Sequence, residues 1–504
     1  MKQNIFKNLV VLDLANNHFG NFNHAKKIVK EFGKINKKFK INSTVKFQFR
    51  DLPNFVHQDF RESNIKYVRR FLDTKMNMKD FHALFKYIKK NSFKTSCTPF
   101  DEKSIEVIEK LKFDFLKIAS VSALDFNLHE RAVKNSIPKI ISTGGIDIED
   151  IDKIVSFYMK KKQNFAIMHC VSVYPSKNEL LNINFITNLN KRYPQVPIGW
   201  STHETPEQSL PAVLALAKGA TIFEKHIGIN TKKYKLNNYS IQPKEFESWY
   251  TNLINAKTIL GKYSKKTHKE EKITIKKLSR GVYAKKEIKK GDVLTLRNTY
   301  FAIPLQKGQL SSIELKSNTK SNSNVSKDKP INKSKIKLDS NVIKEYAIRS
   351  YIHKAKAMLN YNNINLGEKI DLELSHHKGI ENFSKVGCFL FNVVNKEYAK
   401  KIIVMLPNQK HPSHSHKKKT ETFIVIYGEL MLQDGNKKYF LKKDDKIDLK
   451  KGSYHNFIAG KDGCVFEEIS TTSFSNDSFY KNKKIKNMSR LNRKTFVSNW
   501  FNIK

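Results

Sequence analysis

The sequence has no apolar run approaching the roughly 20 residues that cross a bilayer, so no membrane-spanning helix is expected. The opening stretch MKQNIFKNLVVLDLANNH starts basic and turns apolar. Asp13 interrupts that run early and no small-residue cleavage site follows, so it does not read as a secretory leader. Cysteine is scarce: Cys97, Cys170, Cys388 and Cys464 lie far apart and form no C-x-x-C pair. Reduced thiols in a cytoplasm are the expectation. Acidic residues are also few, 47 Asp and Glu against 93 Lys and Arg, for a net charge of +46. The lysines spread along the whole chain instead of forming a stripe, and they accompany high Asn, Ile and Phe, the pattern of an AT-rich genome. A nucleic-acid partner is therefore not expected, whereas a field that draws in small anions is.

What is present is enough for globular folding. The 504 residues are 39% apolar, too many for one ordinary core, so two or three domains are expected. The first 260 or so residues alternate short apolar runs with amphipathic stretches. The runs are NLVVLDLA, STVKFQFR, FKTSCTPF, FDFLKIAS, IPKIISTGG, NFAIMHCVS, VPIGWSTH and ATIFEKHI, with helical patterns such as DEKSIEVIEKLK between them. Eight such units predict an α/β fold, a (β/α)8 TIM barrel over 1–265. A second segment spans 270–340, where SNTKSNSN has the composition of a linker. A third, 345–480, opens with a helical pattern and passes to short alternating strands, with a hairpin signal at Asp434-Gly435. It predicts an antiparallel β barrel or jelly roll. Residues 481–504 read as a basic tail.

In a (β/α)8 barrel, function sits at the C-terminal strand ends. Here every run ends in polar residues: Asp13, Asn16, Asn17 and His18; Lys46 and Gln48; Thr98; Lys117 and Ser120; Ser142 to Gly145; His169, Ser172 and Tyr174; Ser201 and His203; Glu224, Lys225 and His226. Two lysines inside a barrel suit phosphate or carboxylate, and hydroxyls beside glycines suit phosphate oxygens. His203 and His226, on neighbouring strands, either share one divalent metal or are two unrelated hydrogen-bonded histidines.

The stretches NNHFGNFNHAKKIV, VKFQ, SCTPFDEKSIEVIEKL, LKIAS, IISTGG, MHCVSVYPS, IGWSTHETPE and GATIFEKHIGI, in this order, resemble the sialic acid (N-acetylneuraminate) synthase family over about residues 5–340. The resemblance implies condensation of phosphoenolpyruvate with an N-acylated hexose to a nonulosonic acid. It makes 270–340 an antifreeze-like SAF domain with SNTKSNSN as an internal loop, and it hints at a domain-swapped homodimer. It further implies phosphoenolpyruvate-binding lysines at Lys46 and Lys117, and phosphate or carboxylate contacts at Thr98, Ser120, Ser142 and Thr143. Substrate-side contacts fall at Gln48, Tyr174 and Ser201, and a divalent metal, Mn²⁺ or Mg²⁺, at His203 and His226. Asp13 stands where the family usually has Glu, and would position water or the metal shell. Three further departures are Ser122 in place of an acid, Leu236-Asn237 in place of Asp–His, and Ile303 in place of the Arg offered to the partner subunit's sugar. They open the alternative of a catalytically altered sugar-binding or regulatory homologue.

HPSHSHKKKTETFIVIYG carries a second constellation. His414 and His416 alternate on one strand and so share a face, with Glu421 and Gly428 following at H-x-H-x4-E-x6-G. KGSYHNF then places Gly452 three residues before His455. These resemble the two cupin motifs, which map metal ligands onto His414, His416, Glu421 and His455, a set suited to Fe, Mn, Ni or Zn. A metal-free cupin used for sugar binding or dimerisation is the alternative there, and a cupin-based sugar isomerase or epimerase is a third reading of the chain.

Overall fold

The structure is a computed structural model and describes residues 5–201, 203–262, 267–367 and 369–502. It separates into two compact units, Met1–Lys265 and Lys266–Lys504. The domain boundary expected at 265, and residues 503–504 of the expected tail, lie outside the described residues.

Eight parallel strands of the first unit close into a barrel in sequence order. They are β1 (Leu9–Asp13), β2 (Ser43–Phe49), β3 (Lys94–Pro99), β4 (Phe115–Ile118), β5 (Lys139–Ser142), β6 (Phe165–Cys170), β7 (Ile198–Ser201) and β8 (Ile222–His226). β1 pairs with both β2 and β8, which shuts the ring. Side chains alternate across each strand. Val10, Leu12, Val45, Phe47, Leu116, Ile141, Trp200 and Phe223 join the outer core under the helices. Leu9, Val11, Phe115, Ile140, Ala166, Met168 and Ile222 fill the interior. Gly199 lies on this inner side: a Cβ there would stand 2.2 Å from the Met168 sulfur, so only glycine lets β7 close against β6. The helix Phe22–Phe39 is typical of the outer ring. Asn21 caps it by accepting from the His24 N–H, worth about 1 kcal/mol, and Ile28, Val29 and Phe32 are buried.

The second unit begins with a small β assembly: β9 (Gly281–Ala284) pairs with β10 (Thr299–Ala302), and β11 (Lys320–Ser321) with β12 (Ile336–Lys337). Its core is Val282, Ala284, Ile288, Leu294, Leu310, Val325 and Ile331. The helix Ser340–Tyr361 leads into a large antiparallel sheet. The sheet consists of β13 (Asp371–Ser375), β14 (Cys388–Asn395), β15 (Tyr398–Met405), β16 (Lys410–Ser415), β17 (Glu421–Asp434), β18 (Lys437–Lys442), β19 (Lys446–Leu449), β20 (His455–Thr471), β21 (Phe479–Tyr480) and β22 (Lys494–Val497). The order is β18-β17-β20-β15-β14-β13-β22, with β16 joined to β20 and β21, and β19 to β17. The β17–β18 hairpin turns at Asp434 to Lys437, with Gly435 at positive φ, as the Asp-Gly pair predicts.

The stretch expected to be a basic tail returns to this sheet. Leu372 pairs with Val497 and Ser375 with Lys494, and Trp500 is buried against Phe391 with ring centroids 4.8 Å apart. Among the described residues, no helix is long and apolar enough to cross a membrane.

Candidate functional site

Strand alternation decides which polar strand ends meet inside the barrel. On β8, Glu224 and His226 have the inward parity of Ile222, while Lys225 points outward and pairs with Glu204 at 2.9 Å. On β6, His169 is outward too: it bonds the Leu181 carbonyl at 2.9 Å and packs on Trp200. The eight polar ends are thus not one cluster, because those in the odd register belong to the helix side.

The inward set centres on Glu224, whose carboxylate bridges two buried lysines. Oε1 is 2.7 Å from Lys46 Nζ and Oε2 2.7 Å from Lys117 Nζ. Lys46 also reaches Asp13 Oδ2 at 2.9 Å. Burial works against the Lys46 charge, but Asp13 and Glu224 outweigh it and hold its pKa above the usual lysine range. Burial, aided by repulsion from Lys46, draws Lys117 below its usual value despite Glu224. Burial opposes ionisation of Glu224, yet the two ammonium groups keep it well below the usual carboxylate range. Two carboxylates and two lysines cancel.

Around them lie hydroxyls. Thr98 Oγ1 and Ser142 Oγ are buried without a hydrogen-bond partner, an arrangement that costs free energy unless a ligand supplies one. Ser120 Oγ accepts from the Gly144 N–H at 3.0 Å. A Cβ on Gly144 would meet Ser172 Oγ at 2.3 Å, so the backbone approach there requires glycine. Thr143 donates to the Met168 carbonyl at 3.1 Å, so its hydroxyl proton is already committed. Ser201 is buried, in register with Glu224.

The two barrel histidines do meet, with ring centroids 5.1 Å apart. His203 Nδ1 faces the Val171 carbonyl at 3.1 Å, which makes Nδ1 the protonated nitrogen and leaves the Nε2 lone pair for a ligand. His226 Nε2 is 3.3 Å from Asp13 Oδ2, and its buried Nδ1 has no partner. Burial, together with His226, lowers the His203 pKa to about 3, and burial lowers that of His226 as well, so both rings are neutral at neutral pH. Asp13 Oδ1 is held by the Ala15 N–H at 2.8 Å. Gln48 Nε2 reaches Asp13 at 3.5 Å, and its Oε1 accepts from Arg50 at 3.1 Å. Tyr174 lays its ring 4.1 Å from His203, and Tyr239 lies 5.6 Å from His203 and 5.2 Å from His226. Beside Gln48 a cavity of about 440 Å³ is lined by Asn16, Arg50, Phe71, Met76 and Phe81 among others.

In the second unit His414, His416 and His455 bring one nitrogen each within 4.8 Å of one another, all three buried. Each Nδ1 faces a main-chain carbonyl: Pro412 at 3.2 Å for His414, Asp477 for His416, and Ser453 at 3.2 Å for His455. The three Nε2 lone pairs are therefore the ones that converge. Glu421 stands next to them, with Oε1 3.7 Å from His416 Nε2 and Oε2 3.6 Å from His455 Nε2. Oε1 is also 2.7 Å from the buried Lys419 ammonium, which in turn meets Glu468 at 2.5 Å. His411 continues the row, 4.6 Å from His414 between ring centroids and 3.1 Å from His377 through Nε2.

Glu224 as the hub, Tyr239 and Lys419 were not singled out from sequence. Parity along IFEKH separates Glu224 from Lys225. Nothing local marks Tyr239, and Lys419 is hidden in a run of three lysines that reads as surface.

Residues 37–265 match the NeuB family and residues 401–467 the cupin domain. The N-acetylneuraminate-9-phosphate synthase of Homo sapiens is 25% identical over 295 residues, 57% of this chain and 80% of the human protein. The N,N'-diacetyllegionaminic acid synthase of Campylobacter jejuni is 25% identical over 304 residues, 58% of this chain and 89% of that one. Among solved structures, a protein described as spore coat polysaccharide biosynthesis protein E of Chromobacterium violaceum aligns at 35% identity and a TM-score of 0.63, over 66% of this chain and 100% of that one. With its barrel matched by the family and a relative of that identity covered end to end, the chain belongs to the NeuB family.

Proposed function

We propose that the barrel condenses phosphoenolpyruvate with the open-chain aldehyde of an N-acylated hexose, making a nonulosonic acid for glycan biosynthesis and releasing phosphate. The observation that carries this reading is the pair Lys46 and Lys117, buried and bridged by Glu224, beside the partnerless hydroxyls of Thr98 and Ser142. Such a pocket is built for an anion with several oxygens. Lys46 and Lys117 bind the phosphate and carboxylate, with Thr98, Ser120, Ser142 and Thr143 around them; Gln48, Tyr174 and Ser201 serve the acceptor side. In the reaction, C3 of phosphoenolpyruvate bonds to the aldehyde carbon and the aldehyde oxygen takes a proton. A water oxygen adds at C2, and the C2–O bond to phosphorus breaks, leaving a ketone and free phosphate.

The residues fit a divalent ion. His203 and His226 offer neutral imidazole nitrogens and Asp13 a carboxylate within 3.3 Å of His226, a donor set better suited to Mn²⁺ than to the oxygen-preferring Mg²⁺. When bound, such an ion would polarise the aldehyde oxygen. Because Asp13, Glu224, Lys46 and Lys117 sum to zero charge, an added dication would leave the pocket positive, which favours an anionic substrate. Asp13 holds Lys46 and orients His226. In the second unit we assign the three-histidine cluster as a transition-metal centre of the Fe, Mn, Ni or Zn class. The β assembly of 281–337 we read as the SAF domain of a homodimer, testable by mass measurement in solution. The four cysteines are buried and free, consistent with the reducing cytoplasm in which we place the reaction.

Phosphate release should require phosphoenolpyruvate, a divalent ion and an N-acylated aldose together. Binding of phosphoenolpyruvate without turnover over a panel of such sugars would favour instead a homologue that kept the pocket and lost catalysis, for which Ser122 in place of an acid is the motive. A change in a sugar's configuration that is lost when only the histidine cluster of the second unit is altered would point to the isomerase or epimerase reading.

A further inference from the structure

We infer that Arg50 is a specificity-determining residue on the acceptor side of the barrel, and that the acceptor carries an anionic group, phosphate or carboxylate, at the end of its carbon chain away from the aldehyde. The inference rests on the condensation reading and names the acceptor class for it. Arg50 directly follows β2. It shares the parity of Lys46 and Gln48, while Phe47 and Phe49 turn to the outer core. Arg50 Nη2 donates to Gln48 Oε1 at 3.1 Å, and Gln48 Nε2 reaches Asp13 at 3.5 Å. The guanidinium is thus two contacts away from the carboxylate that stands beside His226.

Phe71 and Phe100 lie against this guanidinium, with ring centroids 4.0 and 3.7 Å from Cζ. Aromatic faces fix the plane of the fork and take none of its in-plane donors. Every guanidinium nitrogen donates, yet Nη2 alone has a hydrogen-bond partner among the described residues, and Nε is buried without one. A purely structural arginine would be matched by a carbonyl or an acid. The acids that act on Arg50 are committed elsewhere: Asp13 to Lys46 at 2.9 Å, and Asp101 to the N–H groups of Asp51 and Ser104 at 2.8 and 2.7 Å. Burial lowers the Arg50 pKa to about 10, a fall that Asp13 and Asp101 do not offset.

The space that the fork borders is the cavity of about 440 Å³ beside Gln48. Its lining holds three cations, Arg50, Lys75 and Lys103, and one acid, Asp51, which Lys103 already meets at 3.2 Å. His18 lines it too. The His18 Nδ1 accepts from the Gly20 N–H at 3.0 Å, so its proton sits on Nε2 and the ring offers a neutral donor. Donors and positive charge converge there without an acceptor, and Phe71, Met76 and Phe81 supply apolar walls that strengthen the charge. An anion with two or more oxygens answers the flat fork.

The test uses the full chain with Mn²⁺ and phosphoenolpyruvate. Two epimeric N-acetylhexosamines, gluco and manno, are each supplied as the free sugar, as the terminal phosphate ester and as the terminal carboxylate. Binding is read by calorimetry and turnover by phosphate release. At least one anionic form should bind about tenfold or more tighter than its neutral parent, the worth of a charge-assisted contact, and the two anionic arms show which group is read. Arg50→Gln should bring that preference to within about threefold while leaving the neutral sugar's affinity unchanged. Arg50→Lys, which keeps the charge and loses the fork, should retain part of it. Arg50→Met, whose chain fills the space between the rings, replaces the glutamine variant if thermal melting shows the latter unfolded. The inference is overturned if the unaltered chain shows no preference for an anionic form, or if folded Arg50 variants keep the preference whole. It is overturned as well if they weaken neutral and anionic sugars alike, which would make Arg50 a reader of the acyl group or a packing residue. Preference in binding with no phosphate release from any sugar would leave the anion site standing and remove the condensation reading. Equal turnover of neutral and anionic forms would do the reverse.

Discussion

The two histidine centres of this chain are built on the same device and differ in what surrounds it. In both, main-chain carbonyls fix imidazole tautomers: Val171 for His203 in the barrel, and Pro412, Asp477 and Ser453 for the three cupin histidines. The barrel has one such ring, with His226 set against Asp13 instead, and spends the rest of its mouth on charge, with Lys46, Lys117, Glu224 and Asp13 beside hydroxyls left without partners. The cupin has three rings and one set of mixed charge, Lys419, Glu421, Glu468 and Lys401, which meets them through Glu421, 3.7 Å from His416 and 3.6 Å from His455. The barrel therefore reads as an anion site assisted by a metal, the cupin as a metal centre. Histidine spacing alone does not make that distinction; the ion pairs next to the histidines do.

The sharpest way to break the comparison is to count metal. Three fixed nitrogens should hold an ion more tightly than two, so a chelator titrated into the loaded chain should empty the barrel first. His226→Ala should abolish the weaker class of site and His414→Ala the tighter, each by more than about a hundredfold in affinity, since a ligand is lost outright. Phosphate release should vanish with the first and persist with the second. If His414→Ala instead removes the weaker class, the two centres have been ranked the wrong way round.

Next in size is the charge of the barrel. Lys117→Ala removes one ammonium from Glu224 and one charge-assisted contact to the substrate, expected to cost about 2–3 kcal/mol of phosphoenolpyruvate affinity. Calorimetry should show the cost at any metal concentration. A loss that excess Mn²⁺ repairs would mean that Lys117 serves the metal and not the anion.

The sequence made the barrel legible because eight apolar runs with polar ends leave little choice of architecture, and each of those runs contains one of the eight strands. It made the site only partly legible. Lys46, Lys117, His203 and His226 follow from resemblance and position, but Glu224 contacts lysines that lie 178 and 107 residues away, and no local signal announces a contact of that separation. Parity does announce its face, since Ile222, Glu224 and His226 share one side of β8. The basic tail failed for a related reason: composition flagged the lysines, while the alternation in KTFV and the single Trp500 carried the structure. Lys419 is the extreme case, a buried ammonium inside Lys417-Lys418-Lys419, visible only once Glu421 and Glu468 are seen to converge on it.

A smaller effect is common to both units and appears in acid. Burial lowers His377 and His416 to about 3 and His455 to about 4, and holds His411 and His414 well below their usual value. Each such ring binds protons less readily folded than unfolded, so the stability it confers is full above its unfolded value near 6.5 and is withdrawn as pH falls toward the folded one. Burial and Glu468 raise Glu421 to about 7, which acts in the opposite sense as pH drops below that value, but it is one group against six, since burial lowers His376 as well. The barrel holds six rings lowered in the same way, His18, His24, His129, His169, His203 and His226, so metal-free protein should show both units melt at lower temperature on acidification from about pH 7 to pH 4. A melting temperature that does not fall would mean that the buried rings take up protons as readily folded as unfolded.

The smallest effect lies inside the barrel, between its two lysines. Asp13 and Glu224 together hold Lys46 protonated above the ordinary range, while burial and its neighbour's charge lower Lys117. Raising the pH should therefore discharge Lys117 first and leave Lys46 charged. Phosphoenolpyruvate affinity should then fall on the alkaline side, by roughly tenfold, the loss of one charge-assisted contact out of several. Measurement above the phosphate's own second ionisation, near pH 6, keeps substrate titration out of the curve. Lys117→Arg, whose guanidinium stays charged, should flatten the profile even if the affinity itself is lower. A flat profile in the unaltered chain would mean that Lys117 keeps its proton as firmly as Lys46, and that Glu224 serves the two equally. A profile that falls but is unmoved by the arginine would place the titrating group elsewhere in the pocket.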